Sequence, residues 1–430
     1  MATSHAPVPK LVQVGFYYGA TVMKIGFVTP NYYPNVTGGG ELSLKLLAEE
    51  LAKRHHTVIV FSFDSHRGRQ QIDKIHGVTI IRYRAPSKSP QLLTLIVPVS
   101  LVMKEWEEFI DVYHLYCISP LPGGALYKML GGKRNVVGTL NSLSAVCPIC
   151  VKTCLNDRCA FRDRLVCLHV HDRKQIISSI LYSVIYPVLT ALSRNLDHYI
   201  ALTNSVKQSH VLKGFDSNRI AIIPNFFERP RDSVIPASYN DRTSKSAIFN
   251  ILYVGAVIRE KGLGVLIRAF SEVSDKHSEA RLTIVGSGEG FDDYVKMVED
   301  LSLSDKVTFK GHVNDRNELK QIYLKTRVFV HPAICPDPFP RTLLEAMTFE
   351  IPTIVSNMGS LPEIVGSGGL VFESGNAENL AEKIEILIQN SEVRQRLSSN
   401  CKEVVRRFSP DFIPNKIVEL YKTLIDSCGS

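Results

Sequence analysis

Two carboxylates, Asp337 and Glu345, lie in the stretch of this chain best equipped for chemistry, residues 328–365 (VFVHPAICPDPFPRTLLEAMTFEIPTIVSNMGSLPEIV). VFVHP reads as a strand, the proline-rich CPDPFP as a turn, and RTLLEAMT as a helix start. Pro340 would take the first helical position, where its missing N–H costs nothing. The backbone N–H groups of Arg341, Thr342 and Leu343 then lack intrahelical acceptors and, with the helix dipole, favour an anion. A diphosphate suits that place. Asp337 precedes the helix and Glu345 sits inside it, so one carboxylate can face a sugar while the other accepts hydrogen bonds from ribose hydroxyls. An isolated pair would read as a turn residue and a solvated helix residue; the succession of strand, turn, helix and second apolar strand favours a ligand site.

Glycines mark other strand ends. Gly38, Gly39 and Gly40 follow the apolar run KIGFVTP. With no Cβ they make room for a backbone cradle around a phosphate or sugar, and Glu41 favours the positive helix start behind them. A plain flexible loop is the competing reading. Gly286 and Gly288 follow RLTIVG, where glycines again permit close backbone approach to a ligand.

A third constellation is sulfur-rich. Five of the nine cysteines, Cys147, Cys150, Cys154, Cys159 and Cys167, fall within CPICVKTCLNDRCAFRDRLVC, with His169 and His171 just beyond. A C-x2-C pair with further Cys and His nearby fits a structural zinc held by Cys147, Cys150, Cys154 and Cys159. An iron–sulfur cluster, disulfides and free buried thiols are the alternatives.

The elements that must position these groups alternate regularly. Short β-branched runs and longer amphipathic segments follow one another from residue 24 to 63, and the rhythm restarts after residue 245 with IFNILYVG, RLTIVG, KVTFKG and VFVHP. That is βαβ punctuation, and it predicts an α/β protein of two doubly wound, Rossmann-like domains. We place the first at 23–223, a Pro/Ser/Asp-rich linker at 224–245, the second at 246–407, and a final helix in 408–430 that crosses back to the first domain. A chain of 430 residues with 45% hydrophobic and 21% charged residues is long and apolar enough for two cores.

The formal charge of +8 favours anionic partners, but the basic residues lack the interleaved aromatics of a nucleic-acid module. Residues 1–22 fit a secretory signal poorly, and Met23, directly before the first strand, is the expected native start. Residues 92–103 and 176–192 are apolar but interrupted or short, so buried core helices are expected. A peripheral contact with an anionic bilayer is the alternative, the second stretch following a basic run. The expected location is cytoplasmic, including the inner face of the membrane.

The segment holding Asp337 and Glu345 resembles the E-x7-E signature of the family four retaining glycosyltransferases, which have the GT-B fold, with Asp337 where the first Glu usually stands. The resemblance covers nearly everything from Met23 to the C-terminus. Residues 252–270 (LYVGAVIREKGLGVLIRAF) are similar to the strand–turn–helix by which the family brings an Arg and a Lys to the donor diphosphate. Lys261 matches the Lys; Ala256, after Gly255, replaces the Arg, and Arg259 lies in the same turn. Gly286 and Gly288 match the second donor-domain turn, and the backbone at Val313 would meet the base. The loop with Gly38 to Gly40 resembles the family's glycine-rich loop, and Asn141 stands where many relatives carry a His, able to hydrogen-bond but not to carry charge.

The resemblance implies transfer of a hexose, with retention, from a nucleotide-diphosphate sugar to a glycan or lipid-linked acceptor in an interdomain cleft. Lys261 and the helix start would stabilise the leaving group, and no cofactor is required for the chemistry. The chain contains no Asp-x-Asp triplet, which argues against the metal-dependent GT-A type. The replacements at Ala256 and Asn141 suggest the rival reading, a non-catalytic sugar-nucleotide-binding scaffold.

Overall fold

The computed structural model describes residues 22–35, 38–65, 71–84, 91–141, 176–228 and 248–427. Residues 1–21, the cysteine cluster with Cys147, Cys150, Cys154 and Cys159, and most of the predicted linker lie outside the described residues. Two compact units emerge. One holds the described residues up to Phe226 together with those from Pro410 onwards; the other is Phe227–Ser409.

The first unit is built on eight strands, β1 (Lys24–Thr29), β2 (Thr57–Ser65), β3 (Gln71–Ile75), β4 (Val78–Arg84), β5 (Val112–Tyr116), β6 (Asn135–Leu140), β7 (His198–Ala201) and β8 (Ile220–Ile222), in the order β3-β4-β2-β1-β5-β6-β7-β8. The sheet is parallel except for β3, which returns antiparallel on β4. The intervening His76 and Gly77 both have positive φ, 47° and 83°, the geometry of a tight hairpin turn whose twist matches the strands. That hairpin departs from the parallel pairing that βαβ units make.

The central strands β5 and β6 are buried throughout, as a parallel sheet covered on both faces requires. Leu44, Leu47 and Leu51 of the helix Gly39–Lys53 share one core cluster with Ile413, Ile417 and Tyr421 of the chain's last helix, Ile413–Ser427. Buried His114 of β5 bonds Tyr421 through Nδ1 and Thr139 through Nε2, each at 2.5 Å. A separate cluster around Phe61, Trp106 and Tyr113 includes Val99, Val102 and Met103 of the helix Ile96–Glu105.

That helix buries one side and leaves Val97 and Leu101 exposed, and the helix Ile176–Leu192 buries Tyr186 and Leu189 while exposing Val184 and Val188. At these described positions each helix presents both a buried and an exposed apolar side. Among the described residues no helix is long and apolar enough to cross a membrane.

The second unit is a six-stranded parallel sheet of β9 (Phe249–Val254), β10 (Ala280–Val285), β11 (Val307–Gly311), β12 (Val328–His331), β13 (Thr353–Ser356) and β14 (Gly369–Phe372), ordered β11-β10-β9-β12-β13-β14. The chain winds outward from β9 to β11, then restarts at β12 on the other side of β9. The strand order reverses between β9 and β12, and in such sheets ligands bind in the crevice beyond the carboxyl ends of the strands at that point.

Candidate active site

The segments leaving β9 and β12 are held together at that switch point. After β9 the chain makes a short 3-10 turn, Arg259–Lys261, ended by Gly262 in the left-handed conformation, φ 72°. A Cβ at Gly262 would lie 1.9 Å from the Pro332 carbonyl oxygen, so glycine alone lets the β9 turn press against the β12 turn. Ile334 N–H donates to the Glu260 carbonyl at 3.0 Å and ties the two together. On the far side Gly359, φ 54°, packs beneath Pro336.

This packing sets the chemistry. Lys261 Nζ lies 2.5 Å from Asp337 Oδ2, and His331, the last residue of β12, places Nε2 3.2 Å from the same oxygen. His331 is 3% exposed, and its Nδ1 has no hydrogen-bond partner among the described residues. Burial pushes the Asp337 carboxyl up, but the His331 hydrogen bond and the Lys261 charge outweigh it and hold the group well below the ordinary carboxylate range. Asp337 is thus a fixed negative charge that already neutralises the lysine expected at a diphosphate.

Glu345 is different. It lies on the helix Arg341–Thr348, whose N-cap is Pro340 with φ −73° and ψ 107°. Pro340 therefore precedes the helix instead of opening it, a correction of one position. Arg341, Thr342 and Leu343 become the first three helical residues, whose N–H groups have no acceptor within the helix. Glu345 Oε2 accepts a hydrogen bond from the Tyr323 hydroxyl at 3.2 Å. Burial raises the Glu345 pKa, only partly offset by Arg341, the Tyr323 hydrogen bond and Arg316. The solvated-helix alternative does not describe it. The Arg341 guanidinium lies over the Phe227 ring, 5.4 Å from its centroid.

The remaining predicted donor residues lie at the ends and turns of β9, β10 and β11. A Cβ at Gly286 (φ 142°) would meet the Gly255 carbonyl oxygen at 1.8 Å, and one at Gly288 would meet that of Val257 at 2.4 Å. These glycines let the neighbouring turn approach closely. Gly286 N–H also donates to Gly311 at 2.8 Å, and Val313 packs partly buried on the adjoining cluster. Ala256 and Arg259 are exposed, and the Arg259 charge is felt at Tyr294. Arg259 does not join the contacts of Asp337 with Lys261 and His331.

In the first unit, Gly38 caps the helix that begins at Gly39, and a Cβ on Gly40 would lie 3.2 Å from Asn141 Nδ2. The predicted loop and Asn141 are neighbours. The preceding segment is anchored by Asp64 at the end of β2. Its Oδ2 accepts from Tyr32 N–H (3.2 Å), Asn35 Nδ2 (3.1 Å) and Arg82 Nη1 (2.7 Å). Sequence reasoning missed Asp64, Arg82, His331 and Tyr323. Of these His331 carried a signal, a histidine ending an apolar strand next to the Asp337 turn.

A doubly wound parallel sheet whose switch point brings a lysine and a carboxylate together beside a helix start is an α/β architecture suited to an anionic ligand. Comparison with known families narrows this. Residues 37–229 match Glycosyltransferase Family 4 and residues 241–404 match Glycosyl transferases group 1, so the chain belongs to the group 1 glycosyltransferases and has the GT-B fold.

An uncharacterized glycosyltransferase of Methanocaldococcus jannaschii is 25% identical, covering 95% of this chain and 100% of its own. N-acetyl-alpha-D-glucosaminyl L-malate synthase of Bacillus anthracis is 23% identical over 94% of this chain and 96% of its own. Among solved structures, Anabaena HepE in complex with UDP superposes with a TM-score of 0.68 at 20% identity, covering 93% of this chain and 100% of that one.

Proposed function

We propose that this glycosyltransferase takes a hexose from a nucleoside diphosphate sugar, binding that donor in its second unit, and transfers it with retention, without a catalytic metal, to a glycan or lipid-linked acceptor. The observation that carries the reading is the placement of Lys261, Asp337 and the start of the helix Arg341–Thr348 at the β9/β12 switch point, with Glu345 behind them. Lys261 and the N–H groups of Arg341, Thr342 and Leu343 stabilise the departing diphosphate, which is where negative charge grows during transfer. Asp337 meets a sugar hydroxyl, and Glu345 accepts from the ribose. The related HepE structures with UDP and with UDP-glucose support a donor of this class. The loop from Gly38 to Gly40, with Asn141, takes the acceptor side. A lipid-linked acceptor would bring the chain to a membrane face, where exposed Val97, Leu101, Val184 and Val188 are available for contact.

The test is incubation of the full chain with a panel of UDP-, GDP-, ADP- and dTDP-sugars, with and without EDTA. Release of the nucleoside diphosphate and the anomeric configuration of the product are read by NMR. Donor consumption with retention, unchanged by EDTA, is expected. Inversion would remove the retaining assignment. Binding of a donor without release or transfer would favour the scaffold reading, which Ala256 and Asn141 motivate.

A further inference from the structure

We infer that Tyr323 is a positioning residue for the nucleoside: its hydroxyl fixes one oxygen of Glu345 so that the other, Oε1, is presented to the ribose. The inference rests on the function proposed above and names a residue that the sequence did not single out.

Tyr323 closes the helix Arg316–Leu324 and is 2% exposed. Its ring stacks on Phe349 with centroids 5.1 Å apart and planes 13° from parallel. Such a ring has no freedom to follow a moving partner, so the hydroxyl is a fixed donor. Its acceptor is Glu345 Oε2, at 3.2 Å. A buried phenol needs a partner, but a carboxylate is an expensive one, because burying a charge costs far more than burying a hydroxyl. A glutamine would satisfy the phenol at lower cost. An acid held in that position therefore has another duty, and the resting bond on Oε2 leaves Oε1 for it.

Among the described residues, three groups act on this carboxylate: Arg341 from its own helix, and Tyr323 and Arg316 from the neighbouring one. All three favour the ionised form, which accepts hydrogen bonds from ribose hydroxyls. Burial opposes them. Tyr323 thus both aims Glu345 and helps keep it ionised.

The experiment is calorimetric titration of the full chain with UDP, GDP, ADP and dTDP between pH 5 and 8, using the wild type, Tyr323→Phe, Glu345→Gln and the double variant. Tyr323→Phe deletes one oxygen and keeps the stack on Phe349, so the variant folds. It is expected to weaken the preferred nucleotide about tenfold, the size of a lost hydrogen bond to a charged group. Its acid limb should move to higher pH, because Glu345 then protonates more readily. In the Glu345→Gln background, which lacks that limb, the same change should cost less than twofold. Two results overturn the inference: affinity within twofold of wild type with the acid limb unmoved, or an equal loss in both backgrounds, which marks a structural role. If wild type binds none of the four nucleotides, the proposed function itself falls, and that result is distinct from either.

Discussion

Asp337 and Glu345 occupy neighbouring parts of one segment, yet their surroundings push them in opposite directions. Asp337 sits in the turn after β12 between an ammonium and an imidazole, both on Oδ2, and is held ionised. Glu345 sits in the helix behind, touched by a phenol and pushed by burial toward its neutral form. Two acids whose environments separate their pKa values have separate duties. The first is a charge that balances Lys261, and on the proposed function an incoming diphosphate would compete with it. The second is held by a neutral phenol, with the charges of Arg341 and Arg316 only partly offsetting its burial.

The comparison breaks most visibly in function. Lys261→Ala should lower kcat/KM for the donor by about 1000-fold, the scale of a lost preorganised charge at the leaving group. Asp337→Asn and Glu345→Gln should each cost transfer about 100-fold, by the same reasoning applied to contacts with sugar and ribose. Nucleoside diphosphate binding should separate them. Asp337→Asn frees Lys261 and leaves that affinity unchanged or tighter, whereas Glu345→Gln weakens it. Equal losses of nucleotide affinity in both variants would show that the two acids do one job.

Next in size is the turn that brings them into register. Gly262→Ala adds a Cβ at a position with φ 72°, 1.9 Å from the Pro332 carbonyl oxygen. Backbone cannot swing aside as a flexible side chain can. We expect a loss of about 2–4 kcal/mol in denaturant unfolding, combining the left-handed penalty with displacement of the β12 turn. Donor transfer should fall with it, since Lys261 and Asp337 meet only while the two turns touch.

This distinction between scaffold and site also marks what the residue pattern revealed. The helix from Arg341, the strand VFVHP and the parallel parts of both sheets were legible, because period, glycine and proline each record a local constraint. The acids and Lys261 were legible as a constellation. Their pairing was not, because the Lys261–Asp337 contact spans residues far apart in the chain and depends on the close approach at Gly262. Tyr323 was invisible for the same reason: one more apolar-looking residue in an amphipathic helix, its hydroxyl meaningful only through tertiary packing. The β3–β4 hairpin was missed because its turn, His76-Gly77, lacks the usual Asn or Asp before the glycine.

Smaller, but opposite in sign for the two acids, is the effect of pH on stability. The Asp337 pKa is depressed in the fold, so its stabilisation is present above the unfolded value, near 3.9, and is lost as pH falls through the folded one. The Glu345 pKa is raised, so its contribution is present below the unfolded value, near 4.3, and is lost as pH rises through the folded one. At pH 7, then, Asp337→Asn should destabilise by about 1–2 kcal/mol, a buried-pair cost reduced because Lys261 is partly exposed. Glu345→Gln should stabilise by about 1 kcal/mol, having no charge to bury. The Glu345→Gln difference should shrink toward pH 4, whereas that of Asp337→Asn should persist there and fall away only at lower pH. Unfolding curves between pH 4 and 8 check this, and a matching sign for the two variants at pH 7 would sink the assignment of environments.

The finest test falls on His331, which gives Asp337 one hydrogen bond while its own Nδ1 stays buried without a partner among the described residues. On the proposed function a diphosphate would draw on Lys261, and His331 would then remain to keep Asp337 from turning. Its loss should therefore appear in transfer and not in nucleotide affinity. His331→Leu should lower kcat/KM about fivefold, near the net value of a single hydrogen bond. His331→Gln, which keeps a donor of similar reach, should recover most of that loss. If Leu and Gln behave alike, the imidazole contributes packing alone, and Asp337 owes its orientation to Lys261.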